Sequence, residues 1–102
     1  MGFGRADAGM HSWTLPEEQS REILKYGLDR GINFYDTAMG YQGGTSEEFV
    51  GRAMKDFVRR EDVVLATKFI PRTPGEIERG VSGQQHVMDM MDASLKRMGL
   101  DY

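Results

Sequence analysis

The sequence predicts an α/β fold built on a parallel sheet, and three observations carry that expectation. Two short apolar stretches of strand character begin about 30 residues apart. A helical stretch lies between them and another follows, an order that requires parallel pairing through a right-handed crossover. A composition of 39% hydrophobic and 28% charged residues in 102 suits one globular unit rather than a low-complexity segment. Each βα unit of an eightfold barrel takes roughly 31 residues, so the spacing matches part of such a barrel. A doubly wound sheet has a similar period, and spacing alone does not separate the two.

The elements follow in order. Met1-Gly2-Phe3-Gly4 reads as the last residues of a strand and its exit turn. Thr14-Leu15-Pro16-Glu17 has the capping-box pattern and opens a helix whose apolar side includes Ile23, Leu24 and Leu28, with Gly31 as its stop. Ile32 to Tyr35 is a short buried strand ending at Asp36, followed by a glycine-rich loop from Thr37 to Gly44. Thr45-Ser46-Glu47-Glu48 is a second capping box, and its helix places Phe49, Val50, Ala53, Met54 and Phe57 at core-facing spacing. Asp62 to Thr67 is the strongest strand, with Lys68 at its end. A loop with Pro71, Pro74 and Gly75 comes next. Ser82 with Gln85 then caps a last helix that buries Val87, Met91, Leu95 and Met98 and stops at Gly99.

The net charge of −3 offers no basic surface for phosphates, which argues against a nucleic-acid partner. No cysteine is present, so there is neither a disulfide framework nor a thiolate metal site. The apolar runs are far shorter than the roughly 20 residues that cross a bilayer, and no leader pattern is visible. No membrane partner and a cytoplasmic location are the expectations.

In parallel α/β folds, functional side chains collect at the carboxyl ends of strands. Asp36 and Lys68 stand at two such ends, and Tyr41 lies in a loop short enough to fold back over them. An ammonium beside a phenol stabilises the phenolate, so Tyr41 can serve as a general acid, Lys68 as its tuner and Asp36 as the anchor of the amine. Each residue also has a plain structural reading: a turn or cap aspartate, a packed tyrosine, a solvated lysine. A phosphoacceptor domain also uses a strand-end Asp and Lys. It needs an acidic pair near its first strand to hold Mg²⁺, and none is visible here. Gly40, Gly43 and Gly44 precede a helix, but no Gly-Lys-Ser/Thr follows, so they read as turn geometry rather than a phosphate cradle.

Four linked motifs then resemble one family. Gly31-Ile32-Asn33-Phe34-Tyr35-Asp36-Thr37-Ala38-Met39-Gly40-Tyr41 resembles the aldo-keto reductase signature "G-I-N-x-x-D-T-A-x-x-Y". Gly44 to Ala53 is similar to its continuation "G-x-S-E-x-x-(L/V)-G-x-A", and Arg60 to Lys68 to the strand "R-(E/D)-x-(V/I)-x-(I/L)-A-T-K". Leu95 to Tyr102 resembles the run "S-L-x-R-L-G-x-D-Y". The version with Trp13-Thr14-Leu15-Pro16-Glu17-Glu18 is similar to the bacterial branch that also resembles potassium-channel β subunits.

The resemblance implies a TIM (β/α)8 barrel, of which residues 1–102 would be the N-terminal βα units. It implies NADPH as cofactor and an aldehyde or ketone as the small-molecule partner, with Tyr41 protonating the developing alkoxide. Asp36, Tyr41 and Lys68 are the catalytic residues it carries over. Gly2 and Phe3 match the turn that touches the nicotinamide ribose, and Asp36 borders the same place. Trp13 lies where substrate-facing aromatics occur, with packing as its other reading. The family's fourth catalytic residue is a histidine on the next strand, and its 2′-phosphate contacts come from the last βα units. His11 and His86 do not stand in for it; His86 reads as a solvated polar residue. The expectation is therefore a barrel truncated at both ends, with Met1 an internal methionine of a longer frame. Such a piece should lack activity of its own and self-associate through open sheet edges. A regulatory or non-catalytic barrel module is the alternative.

Overall fold

A computed structural model describes residues Met1–Tyr102. Four helices and two strands alternate: α1 (Glu17–Asp29), β1 (Phe34–Asp36), α2 (Thr45–Phe57), β2 (Val64–Ala66), α3 (Pro74–Glu78) and α4 (Gly83–Met98), with 3₁₀ turns at Tyr41–Gly44 and Arg60–Asp62. The strands pair in parallel, Phe34 opposite Val64, Tyr35 opposite Leu65 and Asp36 opposite Ala66. Backbone hydrogen bonds extend the pairing past the strand ends: Thr37 N–H donates to Ala66 O at 2.8 Å, and Met39 N–H to Lys68 O at 3.0 Å. The chain leaving β1 therefore runs beside the chain leaving β2.

One face of the pair is covered. Tyr35 is buried with Leu24 of α1, Val50, Ala53 and Met54 of α2, and Val63, and this cluster is the core. The opposite face is open, and Phe34 and Val64 stand more than half exposed on it. A two-strand sheet can bury only the side its own helices reach. Helices α2 and α4 meet closely at Gly51, where an added Cβ would stand 2.2 Å from Met98 O. No helix is long and apolar enough to cross a membrane.

Several local expectations are revised. Phe57, Val87 and Met91 are exposed, as is Ile23; Phe57 is covered only by the Arg21 guanidinium, and Val87 and Met91 only in part by Thr67 and Phe69. Thr14 does not cap α1: Pro16 is the capping residue, without a side-chain bond. Thr45 does not cap α2, whose N-cap is Gly44. Both hydroxyls are engaged elsewhere, as described below. The capping box that does form is Thr73-Pro74-Gly75-Glu76, inside the stretch read as loop, and it opens α3. Ser82 caps α4 as expected, accepting from Gln85 N–H at 3.0 Å. Gly31 and Gly99 end their helices with positive φ, a backbone region that costs glycine nothing. His86 is buried, not solvated: its Nε2 lies 2.7 Å from Ile70 O and its Nδ1 3.2 Å from Glu76 Oε1.

Candidate active site at the strand ends

Because the strand pairing continues to Met39 and Lys68, Asp36 and Lys68 leave the sheet side by side. The Lys68 ammonium donates to Asp36 Oδ2 at 2.6 Å and to Thr37 O at 2.7 Å. The hydrogen bond to Asp36, aided by that carboxylate's charge and opposed by partial desolvation, holds the Lys68 pKa above the usual lysine value. The amine is therefore a fixed cation at neutral pH. It stands 5.3 Å from the centroid of the Tyr41 ring, within reach of a cation–π attraction. The three residues come together at one end of the parallel pair.

Tyr41 owes its position to the loop beneath it. Ala38 O accepts from Tyr41 N–H at 3.1 Å, and the Thr37 hydroxyl is buried against Ser46 Oγ at 3.1 Å. Ile70 N–H donates to Met39 Sδ at 3.4 Å, tying the loop to the chain beyond β2. Gln42, Gly43 and Gly44 then take left-handed conformations in succession, which turns the chain sharply into α2. The glycines serve turn geometry, as the sequence suggested.

A cleft of about 390 Å³ opens at Tyr41, lined on its other side by Met1, Gly2, Met10, His11 and Trp13. That volume lies within the range of small-ligand sites, and its walls are largely apolar. Trp13 is exposed to the cleft, with His11 tilted against it at a centroid distance of 5.0 Å. Gly2 lies so close to the Trp13 ring that an added Cβ would stand 3.2 Å from it. Phe3 is placed differently. It bridges Leu15 in parallel register and packs against the core cluster rather than lining the cleft. Asp36 and Lys68 are not part of the cleft lining, whereas Tyr41 both lines it and stands against Lys68. Such an arrangement can deliver a proton from a phenol to an oxygen in the cleft while a cation stabilises the phenolate left behind.

The sequence reading missed the residues that support this site. Glu47 is fully buried, with its carboxylate accepting from Thr67 Oγ1 at 2.6 Å and from Arg97 Nε at 2.5 Å. Gln42 is buried beside Tyr41, and the signal for it was a long polar side chain set among loop glycines. Thr45, read as a cap, donates its hydroxyl to Gln42 O at 2.7 Å and accepts from Arg5 N–H at 2.9 Å.

The model of the aldo/keto reductase family matches residues 1–102, the whole chain. The chain belongs to the aldo/keto reductase family. It is 37% identical over 89 residues to a protein of Arabidopsis thaliana described as a probable voltage-gated potassium channel subunit beta, covering 86% of this chain and 27% of that one. To the NADP(+) aldo-keto reductase yakc of Schizosaccharomyces pombe it is 34% identical over 105 residues, covering 99% of this chain and 30% of that one. Its structure superposes on the holo form of an aldo-keto reductase from Bacillus halodurans with a TM-score of 0.68 and 35% identity, covering 100% of this chain and 33% of that one. This reductase-family chain thus spans a third or less of each relative's length. Its α/β architecture is that of the reductase barrel, represented here by two parallel strands and their helices.

Proposed function

We propose that these residues form the N-terminal portion of an NADPH-dependent carbonyl reductase, cut from the barrel on both sides, with Tyr41 as its general acid. The single observation that carries the reading is the meeting of Asp36, Lys68 and Tyr41 at one strand edge, with the phenol facing a cleft. NADPH, when bound, supplies a hydride to the carbonyl carbon. Tyr41 gives its proton to the carbonyl oxygen as negative charge develops there, Lys68 stabilises the phenolate that remains, and Asp36 keeps Lys68 charged and in place.

The rim suits the nicotinamide-ribose end of the cofactor. Lys68 uses only Oδ2 of Asp36, leaving the other oxygen of a half-exposed carboxylate to accept from a hydroxyl. Gly2 leaves its side of the cleft open, while Phe3 offers the site only backbone. Trp13 forms the wall against which a substrate would rest. The family resemblance puts the 2′-phosphate contacts in the last βα units, beyond the part of the barrel that these residues match. The isolated chain is accordingly read as inactive, and its exposed sheet edges as prone to self-association. A cytoplasmic setting suits a nicotinamide-dependent reductase.

The test is carbonyl-dependent oxidation of NADPH by a full-length barrel carrying this segment, with Tyr41→Phe assayed beside it. Turnover should fall by about 100-fold or more in the variant, the scale of a lost general acid. Turnover that survives the substitution would sink the reading.

A further inference from the structure

Gln42 is the one non-glycine residue with positive φ (φ 50°, ψ 49°), and it precedes two glycines that share the left-handed region. Glycine would occupy that position freely, whereas a residue with a Cβ carries about 1 kcal/mol of strain there. Its side chain shows what the strain supports. Two amide hydrogens on Nε2 are shared among Arg5 O at 2.8 Å, His11 O at 2.7 Å and Thr14 Oγ1 at 3.2 Å, and Oε1 accepts from His11 N–H at 3.2 Å. Residues 4–14 contain no helix or strand, so these bonds are a large part of what fixes them.

The fit around Gln42 is close on every side. A Cβ added at Gly9 would stand 2.5 Å from Gln42 Cα, one at Gly4 2.6 Å from Gln42 Cβ, and one at Gly43 2.6 Å from Ala8 O. The first loop therefore wraps the Gln42 side chain, with glycines at the contact points. His11 and Thr14, which the amide bonds, flank Trp13, and Gln42 adjoins Tyr41, so this one residue links Trp13's part of the cleft lining to Tyr41's.

We infer that Gln42 is a positioning residue for the proposed reaction: by pinning the 4–14 loop to the Tyr41 turn, it sets the separation of Trp13 from Tyr41 and holds the phenol over Lys68. The inference rests on the reading of Tyr41 as the acid, but its test is geometric and does not require turnover. Removing the side chain should free the loop and let the Tyr41 ring drift from the amine. The helix-strand core should not respond, because Gln42 is absent from that cluster.

The experiment is NMR on the full-length barrel that carries this segment. The Lys68 ε-methylene resonance, shifted by the Tyr41 ring, reports the phenol's position, with Tyr41→Leu as the zero point. Amide exchange at His11 reports the loop. Two variants attack the contact from opposite sides: Gln42→Gly removes the bonds and the strain together, and Gly9→Ala leaves Gln42 intact but wedges the loop away. In both, the Lys68 shift should move at least about half way to the Tyr41→Leu value, and His11 exchange should quicken about tenfold. Val50 and Leu65 amides should keep their positions. Should Gln42→Gly fail to fold, Gly9→Ala decides. An unmoved Lys68 resonance in the folded variants overturns the inference, and so does loss of the Val50 and Leu65 signals in both variants, since Gln42 would then be holding the fold and not the site. Failure of the catalytic reading would show separately, as turnover that survives Tyr41→Phe.

Discussion

Two carboxylate–cation pairs flank the end of β2 in opposite surroundings. Asp36 and Lys68 meet at 2.6 Å with both side chains about half exposed. Glu47 and Arg97 meet at 2.5 Å with the carboxylate wholly buried and the guanidinium about a quarter exposed. Thr67 donates to Glu47, and the next residue, Lys68, donates to Asp36, so the chain passes from one pair to the other in a single step. Water screens the outer pair, which therefore adds little to stability but leaves its groups open to a ligand. The carboxylate of the inner pair is out of water, and removing either partner would leave a largely buried charge unpaired. The first pair is built for access and the second for anchorage.

Glu47→Ala should test that division most severely. It leaves Arg97 and the Thr67 hydroxyl without their acceptor and should cost about 3 kcal/mol of unfolding free energy, read from urea denaturation. A loss no larger than that of a surface substitution would show that the inner pair is not the anchor. Asp36→Asn should do the reverse: unfolding free energy should change by less than about 1 kcal/mol. In the full-length barrel, turnover should drop about tenfold as the amine loses its counter-charge. A large stability loss with normal turnover would erase the contrast.

The smallest effects are pH-dependent. Backbone and side-chain hydrogen bonds from Thr73, with a lesser one from His86, lower the Glu76 pKa from 4.5 to about 2. A carboxylate depressed on folding stabilises fully above its unfolded pKa, so this contribution is complete above pH 4.5 and fades as pH falls toward 2. Lys68 has the opposite sign. Its raised pKa contributes fully below 10.5 and is lost as pH climbs through the folded value. Thermal midpoints measured across pH should decline at both extremes, with Glu76→Gln flattening the acid limb alone.

What the sequence disclosed and what it hid divide along the same physical line. The order of elements, the parallel pairing and the convergence of Asp36, Lys68 and Tyr41 follow from short-range patterns: strand-end positions, helical spacing and contiguous motifs. Polar side chains recruited across the fold left no such pattern. Thr14 and Thr45 have the look of caps, yet the buried Gln42 side chain holds the first hydroxyl and its backbone carbonyl the second. Pro71, Pro74 and Gly75 masked the box at Thr73, because prolines at a helix's first turn resemble a loop. His86 was read as solvated because nothing local shows that Ile70 O and Glu76 will stand against its ring. The apolar spacing of α4 implied burial, but Val87 and Met91 stay more than a third exposed beside Thr67 and Phe69, which cover them only in part.

The Lys68 ammonium rests on two oxygens of unlike origin, one a side-chain carboxylate and the other the Thr37 main-chain carbonyl. Only the first can be altered by mutation or neutralised by acid; the second is guaranteed by the path of the backbone. The amine's location is thus redundantly specified, while its counter-ion is not. Replacing Asp36 would remove the amine's counter-charge and one of its two anchors, leaving the Thr37 carbonyl as the other.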